Sequence, residues 1–465
     1  MNAVRHCVAL ALCAWAVVAQ AAPQTLSEDQ ARHLLVRTGF TPTNAEVERI
    51  TGQSAQRAVS DIVERAKAAR PQHQAPAFAT GPAPIPIAYL KTKDEQQAAR
   101  QQQLREGLEL KTWWMTEMIE SPAPLAERMV LFWHNHFATS QQKVVRSQAM
   151  WRQHELLRAN ALGNFRTLLH GVAKDPAMLV YLDGANSRKE APNENFAREV
   201  MELFTLGEAS QGGGYSEQDI KEAARAFTGW SIEREDFSFR FRPAFHDGAS
   251  KTVLGQTGKF DGDAVLDVML VQPAAARFVT AKLWKEFVSP VSENASYQAE
   301  LARIAQRFQS DGYDIAALLK NLLLSDAFWE PSQRGSLIKS PVDLVVGTVR
   351  QFGFSDTDVM PLVLKTAQLG QNLLVPPNVK GWPGYTDWVN ATSLLERKRF
   401  TEQLFRSAEM KGEYSGLIDR EPPDALKARL ARTLLAVPPT QVIASGTVGV
   451  AYLRALTLDP AYQLK

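Results

Sequence analysis

The stretch NENFAREVMELFTLG, Asn193 to Gly207, reads as one amphipathic helix. Phe196, Val200, Leu203 and Phe204 recur at helical spacing and form an apolar side, while Glu194, Arg198 and Glu202 recur every four residues on the other. Asn193 suits the N-cap, where a side-chain oxygen accepts from a first-turn amide, and Glu194 suits the positive end of the helix dipole. The polar face has two readings. Glu194, Arg198 and Glu202 form a solvated salt-bridge ladder, or Glu199 and Glu202, three apart, present two carboxylates to one cation, as paired acidic ligands on bundle helices do.

Outward from this stretch the helical pattern dominates, and the expected fold class is all-α: a single large multi-helical body. Residues 22–70 read as an N-terminal helical segment, with Thr43 and Glu46 at capping-box spacing. Residues 71–88 form a linker in which five prolines remove amide donors and preclude a regular helix. The main helical domain covers 89–410, and a C-terminal helical extension covers 411–465. Ser216 and Asp219 open a further helix whose apolar face is Ile220, Ala223, Ala224 and Phe227. Near residues 231–262 the period changes. Phe237, Phe239 and Phe241 alternate with polar residues, and Gly248, Gly255, Gly258 and Gly262 punctuate the adjoining residues, a pattern that marks a small hairpin-rich insertion.

Residues 1–21 read as a secretory signal peptide: Arg5 leads, an apolar run spans Cys7 to Val18, and small Ala19 and Ala21 flank the expected cleavage point. The expected location is therefore periplasmic or extracellular. Both cysteines of the chain, Cys7 and Cys13, lie inside this signal, so disulfides, thiolate nucleophiles and cysteine ligands are excluded from the mature protein. No later run reaches the length of a membrane span. Lys plus Arg is 52 and Asp plus Glu is 50, a balance that supplies no general attraction to nucleic acid or an anionic membrane.

Candidate chemistry concentrates in three places. On Leu125 to Phe137 an apolar stripe of Leu125, Met129, Phe132, Trp133 and Phe137 includes His136, whereas His134 points away from it. The two imidazoles can share a metal only if the helix ends by His134. The competing reading is a core histidine that donates to a backbone carbonyl, beside an exposed one. His246 and Asp247, near Lys251 in the insertion, form a turn, a base or a ligand pair. The loop Pro376 to Trp388 carries Trp382, Tyr385 and Trp388, rigid aromatics that stack on a sugar, grip a partner or plug a gap between helices. Ser140 with Lys143, and Ser336 with Lys339, match Ser-x-x-Lys spacing, but no Lys-Thr-Gly element accompanies them. Ser140 is instead expected to cap the helix that carries Trp151.

Several of these pieces together resemble a bacterial family known as domain of unknown function 1800. The matching stretches are RTGF (Arg37 to Phe40), WHNHFATS (Trp133 to Ser140) with Lys143 and Val144, DPAMLVYLD (Asp175 to Asp183), the long Asn193 stretch, YSEQDIKEAARAFTGW (Tyr215 to Trp230), His246 with Asp247, and PPNVKGW (Pro376 to Trp382). The resemblance implies an exported helical protein, encoded beside a second secreted protein of the sulfatase-like class named domain of unknown function 1501, which is thereby implied as a partner. It also draws together His134, Asn135, His136, Glu194, Asn195, Arg198, Glu199 and Glu202 as polar-site candidates. One member pattern has His where this chain has Phe204, which offers no ligand atom.

Two functions are expected on these grounds. The first is an exported binding or accessory protein for a secreted partner or a polymer. The second is a metal-dependent hydrolytic or oxidative enzyme, with His134 or His136 and Glu199 or Glu202 holding a divalent metal that activates water.

Overall fold

The computed structural model describes residues 22–81, 87–233, 235–290, 294–354, 357–407, 409–411, 414–415 and 423–465. Residues 1–21, the expected signal, lie outside them. The chain is mainly helical, and its helices begin where the sequence supplies caps. Thr43 and Glu46, and Ser216 and Asp219, form the expected capping boxes, joined by Ser27 with Gln30, Thr92 with Glu95 and Ser340 with Asp343. Buried aromatics fill the centre, among them Trp114, Trp133, Trp284, Phe137, Phe165, Phe196 and Phe204.

The insertion holds two small antiparallel hairpins, Trp230–Ile232 with Phe239–Phe241 and Lys251–Val253 with Gln256–Gly258. Phe237 belongs to the turn rather than the strand, because its φ of 57° takes it out of extended backbone. The expected cap at Ser140 is also corrected. Ser140 precedes only the short helix Gln141–Val144 and makes no side-chain cap bond; Val145, at φ 67°, breaks the chain before the separate helix Ser147–Asn160 that carries Trp151.

The two ends of the described chain are tied into the middle. Arg37, fully buried, donates to the carbonyls of Phe287, Val288 and Gln333, so the first helix, Glu28–Thr38, closes off the end of Pro273–Phe287. Arg128 on the helix Pro124–His136 donates to the Gly39 carbonyl, to Glu286 at 2.7 Å and to Asp343. Lys465 donates to the same Asp343 at 2.6 Å, and its backbone exchanges hydrogen bonds with Leu337. Arg128, Lys465, Glu286 and Asp343 are paired with one another, as burial requires, while Arg37 is met by carbonyl oxygens. Gly347 permits the approach of the N-terminal segment: a Cβ there would fall 2.2 Å from the Phe40 carbonyl.

Among the described residues no single helix is long and apolar enough to cross a membrane; the apolar pair Gly262–Val271 and Pro273–Phe287 is bent by 77°.

Candidate functional site

The helix Pro124–His136 runs through His134 and His136 without a break, so the two rings diverge. Both are buried, at 2% and 3% exposure, which corrects the expectation of an exposed His134. Its ring is enclosed edge-on between Trp114 and Trp382, with centroids 5.6 and 5.5 Å away. That apolar cage pushes the imidazole down to a pKa of about 3 and leaves Nε2 without a partner among the described residues. His136 is the core histidine of the competing reading: its Nε2 lies 3.0 Å from the Phe204 carbonyl. Since a carbonyl only accepts, Nε2 carries the proton and Nδ1, also without a partner among the described residues, holds the lone pair. Burial first, then the charge of Lys282, keeps this ring neutral.

The Asn193 stretch supplies that carbonyl through an irregular end. Asn193 caps as expected, accepting from the Phe196 amide, and the helix Glu194–Glu199 then widens into a π-helical turn over Val200–Thr205, where the Leu206 amide reaches back to Met201 at 2.7 Å. Such wide turns leave backbone groups to be satisfied from elsewhere. Gly207, at φ 84°, ends the helix. Arg198 does not form the ladder: it turns to Glu217 on the next helix with two 2.7 Å bonds, because a planar fork finds a bidentate carboxylate there. Glu194 and Asn195 are exposed. Glu199 and Glu202 do interact. Burial, then the Glu202 charge, raises the Glu199 carboxyl above its usual range, while Lys380 and Arg198 oppose the rise.

His246 and Asp247 form a structural turn. His246 Nδ1 is bonded to the Thr228 carbonyl at 2.9 Å, and Asp247 accepts from Arg225 at 2.7 Å and from the Ala249 amide. Lys143 pairs with Asp183, and Ser336 accepts from Arg37, so neither Ser-x-x-Lys pair is free for acyl chemistry. Among the described residues no three His, Cys, Asp or Glu side chains are grouped to hold a metal ion. His134 sits in its aromatic cage and His136 is tied to the Phe204 carbonyl, while the Glu199 carboxyl answers to the charges of Glu202, Lys380 and Arg198.

What the fold does assemble is a cleft of about 450 Å³ under the aromatic loop. Asn135 Oδ1 accepts from the Trp382 amide at 2.6 Å and pins the loop to the histidine helix. Trp382 and Trp388 are buried at 5% and 7% exposure, and only Tyr385, at 42%, is open. All three line the cleft, together with Asn135, His136 and Gln371. Its charged lining is Arg128, Lys282, Lys285, Lys380 and Lys465 against Glu286 and Asp343. Both carboxylates are already taken by Arg128 and Lys465. Lys282 and Lys285 have no carboxylate partner among the described residues. The Lys282 ammonium rests 4.9 Å from the Phe278 ring centre, and burial, with the Lys285 charge beside it, brings its pKa down to about 8. Lys380, on the rim, donates to Glu208 at 3.1 Å and so links the loop to the end of the Asn193 stretch.

Sequence reading placed Asn135, His136 and the aromatic loop at a site but passed over Lys282, Lys285, Arg128 and Lys465. Two lysines three apart on the helix Pro273–Phe287 were the available signal, and that spacing is equally an ordinary solvated face.

The family model described as "Protein of unknown function (DUF1800)" matches residues 33–463, nearly the whole chain. No curated protein and no solved structure matches it. The span runs from the first helix to just short of Lys465 and takes in both the histidine helix and the aromatic loop of the cleft, and on that ground the chain belongs to the DUF1800 family.

Proposed function

We propose that this chain is an exported binding protein whose cleft holds an anionic segment of a polymer. The observation that carries the reading is the pair Lys282 and Lys285, two cations without carboxylate partners among the described residues, facing a 450 Å³ cleft rimmed by Trp382, Tyr385 and Trp388. A half-buried ammonium that lacks a counter-charge gains when a ligand anion supplies one. Aromatic edges and an exposed Tyr385 add contact area for a sugar-like chain. Export rests on the signal pattern of Met1 to Ala21, and a periplasmic or extracellular setting follows from it. An accessory role beside a secreted sulfatase-like partner of the DUF1501 class belongs to the same reading and is supported by the family resemblance. The metal-dependent alternative finds less support, since the imidazoles and the Glu199–Glu202 pair face different surroundings.

Calorimetric titration of the purified protein with polygalacturonate, and with amylose as the uncharged counterpart, tests this. The expected result is binding of the acidic polymer alone, weakening with salt, and a loss of about tenfold or more in a Lys282→Met/Lys285→Met variant that melts like the parent. Equal affinity for both polymers, or an unaffected double variant, overturns it.

A further inference from the structure

A second opening, of about 600 Å³, lies where the hairpin insertion meets the loop at Asn186 and the start of the Trp151 helix; it shares no lining residue with the cleft. Two arginines dominate it. The Arg146 guanidinium carbon lies over the Phe237 ring, 4.4 Å from its centre, and that of Arg188 over the Phe245 ring at 4.2 Å. Stacking uses the faces of a guanidinium and leaves its N–H edges for in-plane acceptors. Neither arginine has a carboxylate partner among the described residues. The remaining charges of the groove, Arg242 and Glu233, are paired with each other at 3.6 Å.

The backbone is set to hold this arrangement. Val145, immediately before Arg146, has φ 67°, and Phe237, the ring beneath it, has φ 57°. A β-branched residue in the left-handed region is an outlier, and strain of this kind gathers where a side chain must be aimed. Arg152 donates to the Asp236 carbonyl at 2.7 Å and fixes the Phe237 turn against the helix. On the other side, the Lys189 amide donates to the Phe245 carbonyl at 2.8 Å, tying the Arg188 loop to the insertion. Both pairs are thus clamped between segments distant in sequence.

From this geometry we infer that the groove is a docking site for an acidic segment of a partner protein, whose carboxylates are received in the N–H edges of Arg146 and Arg188. The charge of the groove is complementary to such a segment, and carboxylate recognition by a planar fork is bidentate. Burial already holds the Arg146 guanidinium below its usual range without a compensating anion among the described residues, so an incoming carboxylate restores what desolvation removed. A polysaccharide fits less well: Phe237 and Phe245 are covered by the arginines and Trp230 is buried, so little aromatic face is open for a sugar ring. Exposed Tyr89 at the rim, with the two arginines, has the composition of an interface hot spot.

Fluorescence anisotropy with a fluorescein-labelled hexaglutamate peptide tests the inference on the full chain. Saturable, salt-weakened binding is expected for the parent, and a loss of about tenfold or more for Arg146→Gln/Arg188→Gln. Arg146→Lys/Arg188→Lys keeps the charge and loses the fork, and is expected to recover little. If the glutamine variant fails to melt like the parent, protection of Arg146 and Arg188 from phenylglyoxal by the peptide, read by mass spectrometry, takes its place, and absence of protection overturns the inference. So does unchanged binding in the glutamine variant, or no saturable binding by the parent. Loss in Lys282→Met instead assigns the peptide to the cleft, and displacement by trigalacturonate as readily as by unlabelled hexaglutamate assigns the groove to sugar acids; either outcome overturns the docking of a protein segment.

Discussion

Asn135 Oδ1 accepts the Trp382 amide hydrogen at 2.6 Å, and Gly381 makes that approach possible. Gly381 stands at φ 88°, and a Cβ on it would lie 2.2 Å from Asn135 Oδ1 and 2.6 Å from the Asn135 carbonyl oxygen. A helix of the core and the rim of the cleft are therefore joined at one polar contact that tolerates no side chain beside it. Gly381→Ala is expected to cost about 2 kcal/mol or more, from left-handed strain together with the clash. Asn135→Ala, which strands the Trp382 amide, is expected to cost about 1–3 kcal/mol. Chemical denaturation measures both, and parental stability in Gly381→Ala would show that the loop is not seated on the helix.

The buried histidines make a prediction about acid. His33, His134, His136 and His154 are all held below the usual imidazole range, chiefly by burial, with His134 at about 3. An imidazole depressed on folding binds its proton more readily in the unfolded chain, so stability is full above pH 6.5 and falls as the pH drops below it. Asp175, raised to about 7 by burial, acts in the opposite sense over the same window, since the folded state keeps its proton. Glu127, also raised by burial, acts in the same sense as Asp175, so the four imidazoles are partly offset, and the unfolding free energy is expected to fall as the pH drops below 6.5. Unfolding free energies from pH 7 to 5 check the slope, and His134→Phe should reduce it by about one proton.

In the cleft the relevant group is Lys282, with its pKa near 8. Its ammonium loses the proton as the pH rises through that value, and the cleft loses one positive charge. Affinity for polygalacturonate should fall by roughly fivefold, about 1 kcal/mol, between pH 7 and 9. Lys282→Arg should bind equally at both. A pH-independent parent would remove Lys282 from the binding surface.

Asp343 is the carboxylate that Arg128 and Lys465 share. Burial opposes its charge, yet those two cations hold it well below the usual carboxylate range. Asp343→Asn leaves two buried cations short of a counter-charge and is expected to cost about 3–5 kcal/mol. Thermal melting reads the loss, and a shift within a degree or two of the parent would show the network to be dispensable.

Much of the helical framework was legible because its causes are local. Asn193, Thr43 and Ser216 each meet an amide three residues on, and the alternation of Phe237, Phe239 and Phe241 announced a hairpin even though Phe237 itself turned out of the strand. The site was legible only in part. Asn135 and Trp382 could be marked as unusual, but nothing within either segment says that one side chain bonds the other's backbone across 247 positions. Arg198 was misjudged for the same reason: its partner, Glu217, stands on another helix, and helical spacing offered Glu194 and Glu202 instead.

By itself the sequence determined an all-α chain with capped helices, a hairpin insertion and an aromatic loop, since each depends on residues within a few positions of one another. Which cations remain without counter-charges was decided by the tertiary structure alone. Lys282 and Lys285 face the cleft without carboxylate partners among the described residues because Glu286 and Asp343 were claimed by Arg128 and Lys465, and charge pairing among residues this far apart depends on where folding places them rather than on how they are spaced along the chain.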